Sequence, residues 1–435
     1  MTPIAAGIIG SVFLLVLLFL GMPIAFVMMF VGFLGISYLA SVNAALPVVA
    51  NTVYETAAYY PYTIIPLFIL MGSFAGGAGI TAKLYGSFDK WFRRLPGGLG
   101  IATIAACACF AALSGSSVAA AAAMGTIAIP EMRRFKYDPA LAVGVVAAGG
   151  TLSFLIPPSL GFVVYGMLTE QSIGKLLVSG ILPGIVLSLA FIAVIVVKVK
   201  INPNLAPATP GRVTWKEKFR ALGGVWETML VFVIVMGGIY LGFVNPTEAG
   251  AIGATALFII VISKLKLTFK SLSTALAEAT RISVMVLFLV AGANVFSYFL
   301  ALSTIPASVS AWMASLQVSP YAVMAIIVTI YVVMGCFLDA ISMMVLTMPV
   351  IFPVVKTLGF DPIWFGVVCV IMMEAGLITP PVGLNVYTLA GVVKDVPMST
   401  IFRGSMPFLL AMIAVTILIA IFPGIALYLP SMMGR

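Results

Sequence analysis

Apolar runs of about 20 residues, each long enough to cross a hydrocarbon core of about 30 Å as a helix, recur along the chain between short polar or glycine-proline breaks. The pattern predicts helices over 4–20, 23–41 and 63–82, a helical hairpin over 97–132, then 139–166 and 178–198. A polar stretch at 199–225 follows, and the series returns as 226–244, 247–264, 280–302, a hairpin at 318–355, 360–391 and 404–430. Residues 42–61, with Tyr54, Tyr59 and Tyr60, read either as an external interfacial segment, where aromatic residues collect, or as an ordinary connector. The latter half of 199–225 reads as an amphipathic helix at the interface or as a plain linker.

The second series copies the first. Pro23 pairs with Pro246, Pro130 with Pro353, Asp138-Pro139 with Asp361-Pro362, and Pro157-Pro158 with Pro380-Pro381, each separated by 223 positions. Each proline dictates local backbone shape, so a shared register at these sites marks an internal duplication. The expected fold is an all-α polytopic membrane protein of two inverted-topology repeats, residues 1–198 and 226–435, joined by a cytoplasmic linker at 199–225. Each repeat holds a re-entrant hairpin and a Pro-Pro-broken helix. A very apolar duplicated chain with helices broken at matching places is the pattern of a secondary transporter.

Charge tests the span count. If each hairpin enters and leaves on one side, each repeat crosses five times and the second copy is inverted. Lys83, Lys90, Arg93 and Arg94 precede the first hairpin and Arg133, Arg134 and Lys136 follow it, which puts both its ends in the cytoplasm. Following the chain from there leaves only Lys175, Lys356 and Arg435 of the 22 basic residues outside. Both termini are then expected on the outer side. The start lacks a charged segment and cleavage site, so 4–20 reads as a retained span.

Composition narrows the chemistry. With 63% hydrophobic and 8% charged residues the chain is not a soluble protein. The net charge of +9 sits at span ends, where orientation explains it and nucleic acid does not. Histidine is absent, removing the commonest metal ligand and general base. Cys107, Cys109, Cys336 and Cys369 lie in apolar stretches without zinc-like spacing and read as small hydrophobes. An intramembrane enzyme lacks a nucleophile–base pair here.

Candidate chemistry sits at the tips and breaks. The first hairpin carries Ser114-Gly115-Ser116-Ser117 at its centre, then five alanines, Ala119 to Ala123, that read as helix packing. Backbone left unpaired in mid-membrane must line a polar cavity. Its carbonyls and hydroxyls suit a hard cation at about 2.3–2.6 Å, and its N–H groups suit an anion. At the second tip, Asp339 takes the place of Ser116. A carboxylate at that depth costs about 2.5–3.5 kcal/mol. It serves a cation, a proton or a substrate hydroxyl, or else caps the second half of the hairpin. The double prolines break the following helices and free carbonyls such as those of Ser153, Ile156, Gly376 and Thr379. Ser159 and Asn385 stand just beyond as side-chain ligands, and Glu374 is a second intramembrane acid. No lysine or arginine falls at the presumed centre, so an anionic substrate would be held by helix N-termini and co-bound sodium.

The hairpin tip, Leu155-Ile156-Pro157-Pro158-Ser159, Asn245-Pro246-Thr247-Glu248-Ala249-Gly250, Phe337-Leu338-Asp339 and Thr379-Pro380-Pro381-Val382-Gly383-Leu384-Asn385 together closely resemble the large membrane subunit of TRAP (tripartite ATP-independent periplasmic) transporters, over essentially the whole chain. The resemblance implies an elevator-type, sodium-coupled importer of a small organic acid in the bacterial inner membrane, its termini periplasmic, with a moving transport domain and a fixed scaffold. It implies a small four-helix membrane subunit, expected as a separate chain, and a periplasmic substrate-binding protein. No cofactor is expected beyond coupling sodium. Sodium sites carried over by motif use Ser114, Ser117, Ser153, Ile156 and Pro158 in one half and Gly335, Gly376, Thr379 and Pro381 in the other. Substrate or coupling candidates are Gly115, Ser116, Ser159, Asp339 and Asn385. Family members often carry glycine where this chain has Ser153. The rival transporter class, stand-alone divalent-anion/sodium symporters, usually carries Ser-Asn-Thr at its hairpin tips, a tripeptide this chain lacks.

Overall fold

The computed structural model describes residues 2–77, 79–207, 213–264, 268–315 and 318–433. The basic residues Arg212, Lys266 and Arg435, used above for topology, lie outside the described residues. Among those described, all regular structure is helical.

In chain order the helices are α1 Pro3–Phe19, α2 Ile24–Leu39, α3 Val42–Ala58, α4 Ile64–Gly77, α5 Ile80–Phe92, α6 Gly98–Ser114, α7 Ser117–Arg134, α8 Pro139–Leu155, α9 Leu160–Thr169, α10 Ile173–Ser179 and α11 Ile181–Ile201. The linker holds α12 Trp215–Ala221. Then come α13 Trp226–Tyr240, α14 Pro246–Ser263, α15 Phe269–Leu302, α16 Ile305–Ser315, α17 Pro320–Gly335, α18 Ala340–Thr357, α19 Pro362–Gly376, α20 Leu384–Val392, α21 Met398–Ile421 and α22 Gly424–Met432.

Local chemistry sets these ends. Pro139 and Pro362 each open a helix at its first position, where the missing N–H has no intrahelical partner to lose, behind the capping carboxylates of Asp138 and Asp361. Asn245 and Glu248 form a reciprocal capping box at the start of α14. The two helices after the hairpin tips, α7 and α18, begin and end 223 positions apart.

Among the described residues, five helices are long and apolar enough to cross a membrane, and up to eight if each bent pair counts as one. The large exposed apolar side chains of α1 and α2, among them Ile8, Val12, Phe26 and Phe30, suit a lipid-facing surface. The chain is thus a multi-pass membrane protein.

Three expectations need adjustment. Residues 42–61 are not a connector: α3 and the following stretch Tyr60–Gly76 form a pair bent by 56°. Their counterpart is the uninterrupted 34-residue α15, so the span expected at 280–302 starts at Phe269. Pro61 and Pro66 explain the difference, since the positions 223 later hold Val284 and Leu289, which keep their N–H groups. Finally, the run 404–430 divides at Pro423 into α21 and α22.

In the linker, Thr214 and Glu217 box the start of α12. One backbone N–H and one hydroxyl donation from Thr214 hold the Glu217 carboxyl below its usual range. The helix lies on α5, with Trp91 Nε1 donating to the Lys218 carbonyl at 3.0 Å and the Lys218 ammonium 5.0 Å from the Trp215 ring centre. Buried Glu227 pairs with Lys264 and, at 3.8 Å, Lys83, so its charge is not left alone in the apolar interior.

Candidate functional site

At the first tip, α6 ends at Ser114 and the chain reverses through Gly115 at φ +60°, a left-handed conformation that suits glycine. Ser116 is extended and caps α7 by accepting from the Ala119 N–H at 3.4 Å. A side chain on Gly115 would come within 3.1 Å of the Pro158 carbonyl, so the tip rests directly on the first break. There α8 stops at Leu155, Ile156 is extended, and α9 restarts after Ser159 at an angle of 43°. Ser153 is fully buried and its hydroxyl has no partner among the described residues.

At the second tip α17 ends at Gly335 and α18 starts behind Asp339. The Asp339 carboxylate accepts from the backbone N–H of Ile341 at 3.1 Å and of Ser342 at 3.0 Å, and from the Ser342 hydroxyl. Of the roles open to it, helix capping is the one these contacts fill. Gly335 and Gly376 meet backbone to backbone: a Cβ on Gly335 would lie 2.7 Å from the Gly376 Cα. The second break is tied to this tip by the Gly383 N–H donating to the Cys336 carbonyl at 3.2 Å.

Several groups named from the sequence are in part engaged. The Ser159 hydroxyl donates to the Phe154 carbonyl, closing the turn, and accepts from the Phe162 N–H at 3.4 Å, leaving one lone pair. The Gly376 carbonyl accepts from the Thr379 N–H at 3.0 Å, leaving one lone pair, and the Thr379 hydroxyl donates to the Ala375 carbonyl at 2.7 Å, leaving its own lone pairs outward. Asn385 is fully buried, and neither of its amide atoms has a partner among the described residues.

The tips converge. One cavity of about 660 Å³ is lined by Ser114, Gly115, Ser116 and Ser117 of the first hairpin and by Asp339, Ala340 and Ile341 of the second. Ser153, Ile156, Pro158, Ser159, Gly335, Gly376, Thr379, Pro381 and Asn385 are not among its lining residues. Sequence reading missed Ser73 on α4 and Ser271, Thr274 and Glu278 on α15, which complete the wall. Their signal was available: 271, 274 and 278 fall on one helical face. None of the lining residues is Lys or Arg, which fits the absence of central basic residues.

Below the cavity the halves are joined by Arg133 at the end of α7, whose guanidinium donates to Asp395 at 2.6 Å. That pair holds the Asp395 carboxyl below its usual range.

Paired tips over broken helices, inside an apolar all-helical body with a mainly apolar cavity into which the serines of one tip and Asp339 of the other project, define a membrane transporter. The model of the family described as "Tripartite ATP-independent periplasmic transporter, DctM component" matches residues 11–425, and the chain belongs to that family. It is a transporter permease and not an enzyme. Among its relatives, the C4-dicarboxylate TRAP transporter large permease of Pseudomonas aeruginosa is 35% identical over 386 residues, covering 88% of this chain and 90% of the relative. The sialic acid TRAP transporter large permease of Vibrio cholerae is 31% identical over 428 residues, covering 98% of each. In fold, the chain is similar to the solved YdaH transporter of Alcanivorax borkumensis, at a TM-score of 0.64, 13% identity and coverage of 89% and 90%.

Proposed function

We propose that this chain imports a small organic acid across the bacterial inner membrane by sodium-coupled elevator transport. The observation that carries the reading is the shared cavity: two tips from positions 223 apart in sequence bring Ser114, Ser116, Ser117 and Asp339 into one otherwise mainly apolar space. Two inverted repeats, 1–198 and 226–435 around the linker 199–225, explain how equivalent tips reach a common centre from opposite faces. Both termini are then periplasmic. A periplasmic binding protein delivers the substrate, and a separate small four-helix subunit widens the scaffold. The relatives named for C4-dicarboxylates and for sialic acid point to a carboxylate as the common feature of the cargo.

With no cation among the cavity's side chains, co-bound sodium neutralises that carboxylate. Ser114, Ser117, Ser153, Ile156 and Pro158 supply oxygens for one ion, and Gly335, Gly376, Thr379 and Pro381 for the other. The neutral oxygens suit a hard monovalent cation. The exposed N–H groups at the start of α7 suit the substrate's anion.

The test is thermal. At tenfold excess over Kd, a ligand that binds only the folded state adds about 1.4 kcal/mol of stability. The purified protein is expected to melt higher in sodium than in potassium at equal ionic strength, with the increment reduced in Thr379→Val. Equal melting in the two salts would overturn sodium coupling. Uptake into proteoliposomes that did not require a soluble binding protein would overturn the tripartite assembly.

A further inference from the structure

Glu374 in α19 is 1% exposed, and its Oε1 accepts from the Ser117 hydroxyl at 3.2 Å, a contact spanning 257 positions of sequence. Its Oε2 has no partner among the described residues. A carboxylate buried in an apolar interior with one oxygen unused is costly to keep, which asks for a compensating role.

The surroundings supply one. A side chain on Gly125 of α7 would lie 2.8 Å from Leu389 and 3.4 Å from Val392 of α20, and further along Arg133 pairs with Asp395. The two helices therefore run in the same direction. That register sets the start of α20, with its unpartnered Asn385, level with the start of α7, where Ser117 stands. The Asn385 N–H donates to the Leu377 carbonyl at 3.1 Å, and the Leu377 N–H to the Glu374 carbonyl at 3.2 Å, which tethers this end of α20 to the end of α19. Gly376 and Thr379 follow Glu374 by two and five positions. The unsatisfied polar groups of the second half, Glu374 Oε2 and the Asn385 amide, thus lie near Ser117 of the first half.

We propose that Glu374 is a positioning residue for cation binding that couples the two sodium sites, an inference resting on the sodium-coupled reading above. A serine hydroxyl has one proton and two lone pairs. Giving the proton to Glu374 turns the lone pairs of Ser117 away from the carboxylate, toward the tip's interior where a cation is held. An ionised carboxylate at this place strengthens that hydrogen bond and polarises the oxygen. Because the same carboxylate belongs to the lead-in of the second break, an ion ordering the first tip also orders the segment carrying Gly376 and Thr379. The two sites then fill cooperatively.

The experiment is a sodium titration of thermal stability, with potassium holding ionic strength constant, on the full chain and on Glu374→Gln, Ser117→Ala and the double variant. Glu374→Gln keeps the shape and an acceptor oxygen but removes the charge. Sodium affinity is expected to fall about fivefold, the difference between a hydrogen bond to a carboxylate and one to a neutral amide. The Hill coefficient is expected to fall toward unity. Adding Glu374→Gln to Ser117→Ala is expected to change little more, since one acts through the other. Unchanged affinity and cooperativity in Glu374→Gln, or fully additive effects in the double variant, would overturn the positioning role while leaving sodium binding intact. Absence of sodium-specific stabilisation in the unaltered chain would overturn the sodium reading and this inference together. If Glu374→Gln does not fold, Glu374→Asp, which keeps the charge but draws the carboxylate back from Ser117, decides: unchanged affinity and cooperativity sink the coupling, and a fall in both supports it.

Discussion

Gly376→Ala is expected to abolish uptake and to lower thermal stability in every salt. Its new methyl would lie 2.9 Å from the Gly335 carbonyl carbon and 3.0 Å from the Val332 carbonyl oxygen. Those neighbours are backbone, which cannot rotate away as a side chain can. Relief requires α17 and α19 to separate, which shifts the second tip off the second break. Overpacking of this kind costs about 1–3 kcal/mol, and the displaced segment carries Thr379 and the Gly383–Cys336 hydrogen bond. Gly391→Ala is the matched control: it lies in α20 with nothing within 4 Å of its added methyl. Alanine there is expected to be neutral or slightly stabilising. The comparison needs melting curves and proteoliposome uptake for both variants. Wild-type uptake in Gly376→Ala would show that the two helices do not need this close approach.

Asp339→Ala is expected to reduce uptake by an order of magnitude or more, whereas Asp339→Asn retains most of it. The carboxylate ends the second hairpin by holding two backbone N–H groups and the Ser342 hydroxyl. Removing a cap costs about 0.5–2 kcal/mol in water, and a site sheltered from water has less to replace it with. Asparagine keeps an oxygen at the Oδ1 position, so both N–H groups stay paired. Equal losses in the two variants would mean that the charge of Asp339 matters, in cation binding or proton relay, and would displace the capping role. Uptake and circular dichroism on the same samples separate lost transport from lost folding.

Most of the architecture was legible along the chain. A proline removes its own N–H and constrains its neighbour wherever the chain goes, so the helix starts at Pro139, Pro246 and Pro362 and the breaks at Pro157-Pro158 and Pro380-Pro381 follow from local chemistry. The register of 223 positions reappears in the bounds of α7 and α18 for the same reason. Where copies differ in proline content, as at Pro61 and Pro66, the helices differ too: one is bent and the other is straight.

The candidate site was legible only in part. Its residues Ser114 to Ser117 and Asp339 do line one cavity, because hairpin tips in mid-membrane must meet a polar space. The wall contributed by Ser271, Thr274 and Glu278 was overlooked because those residues precede the apolar run expected at 280–302, and hydropathy alone hid the start of α15. The engagement of Ser159 with Phe154 reflects how tightly one turn closes, a matter of angles that composition does not encode.

By itself, then, the sequence determined most of the helices, the breaks at the double prolines and that the chain is a multi-pass membrane transporter, since each follows from backbone constraints and apolar length acting over a few residues. Only the tertiary structure decided which groups face one another. Ser117 meets Glu374 across 257 positions, and Gly335 meets Gly376 with no side chain between them. Those pairings depend on how helices distant in sequence pack, and contact between distant segments is set by the shape of whole surfaces, which no local pattern carries.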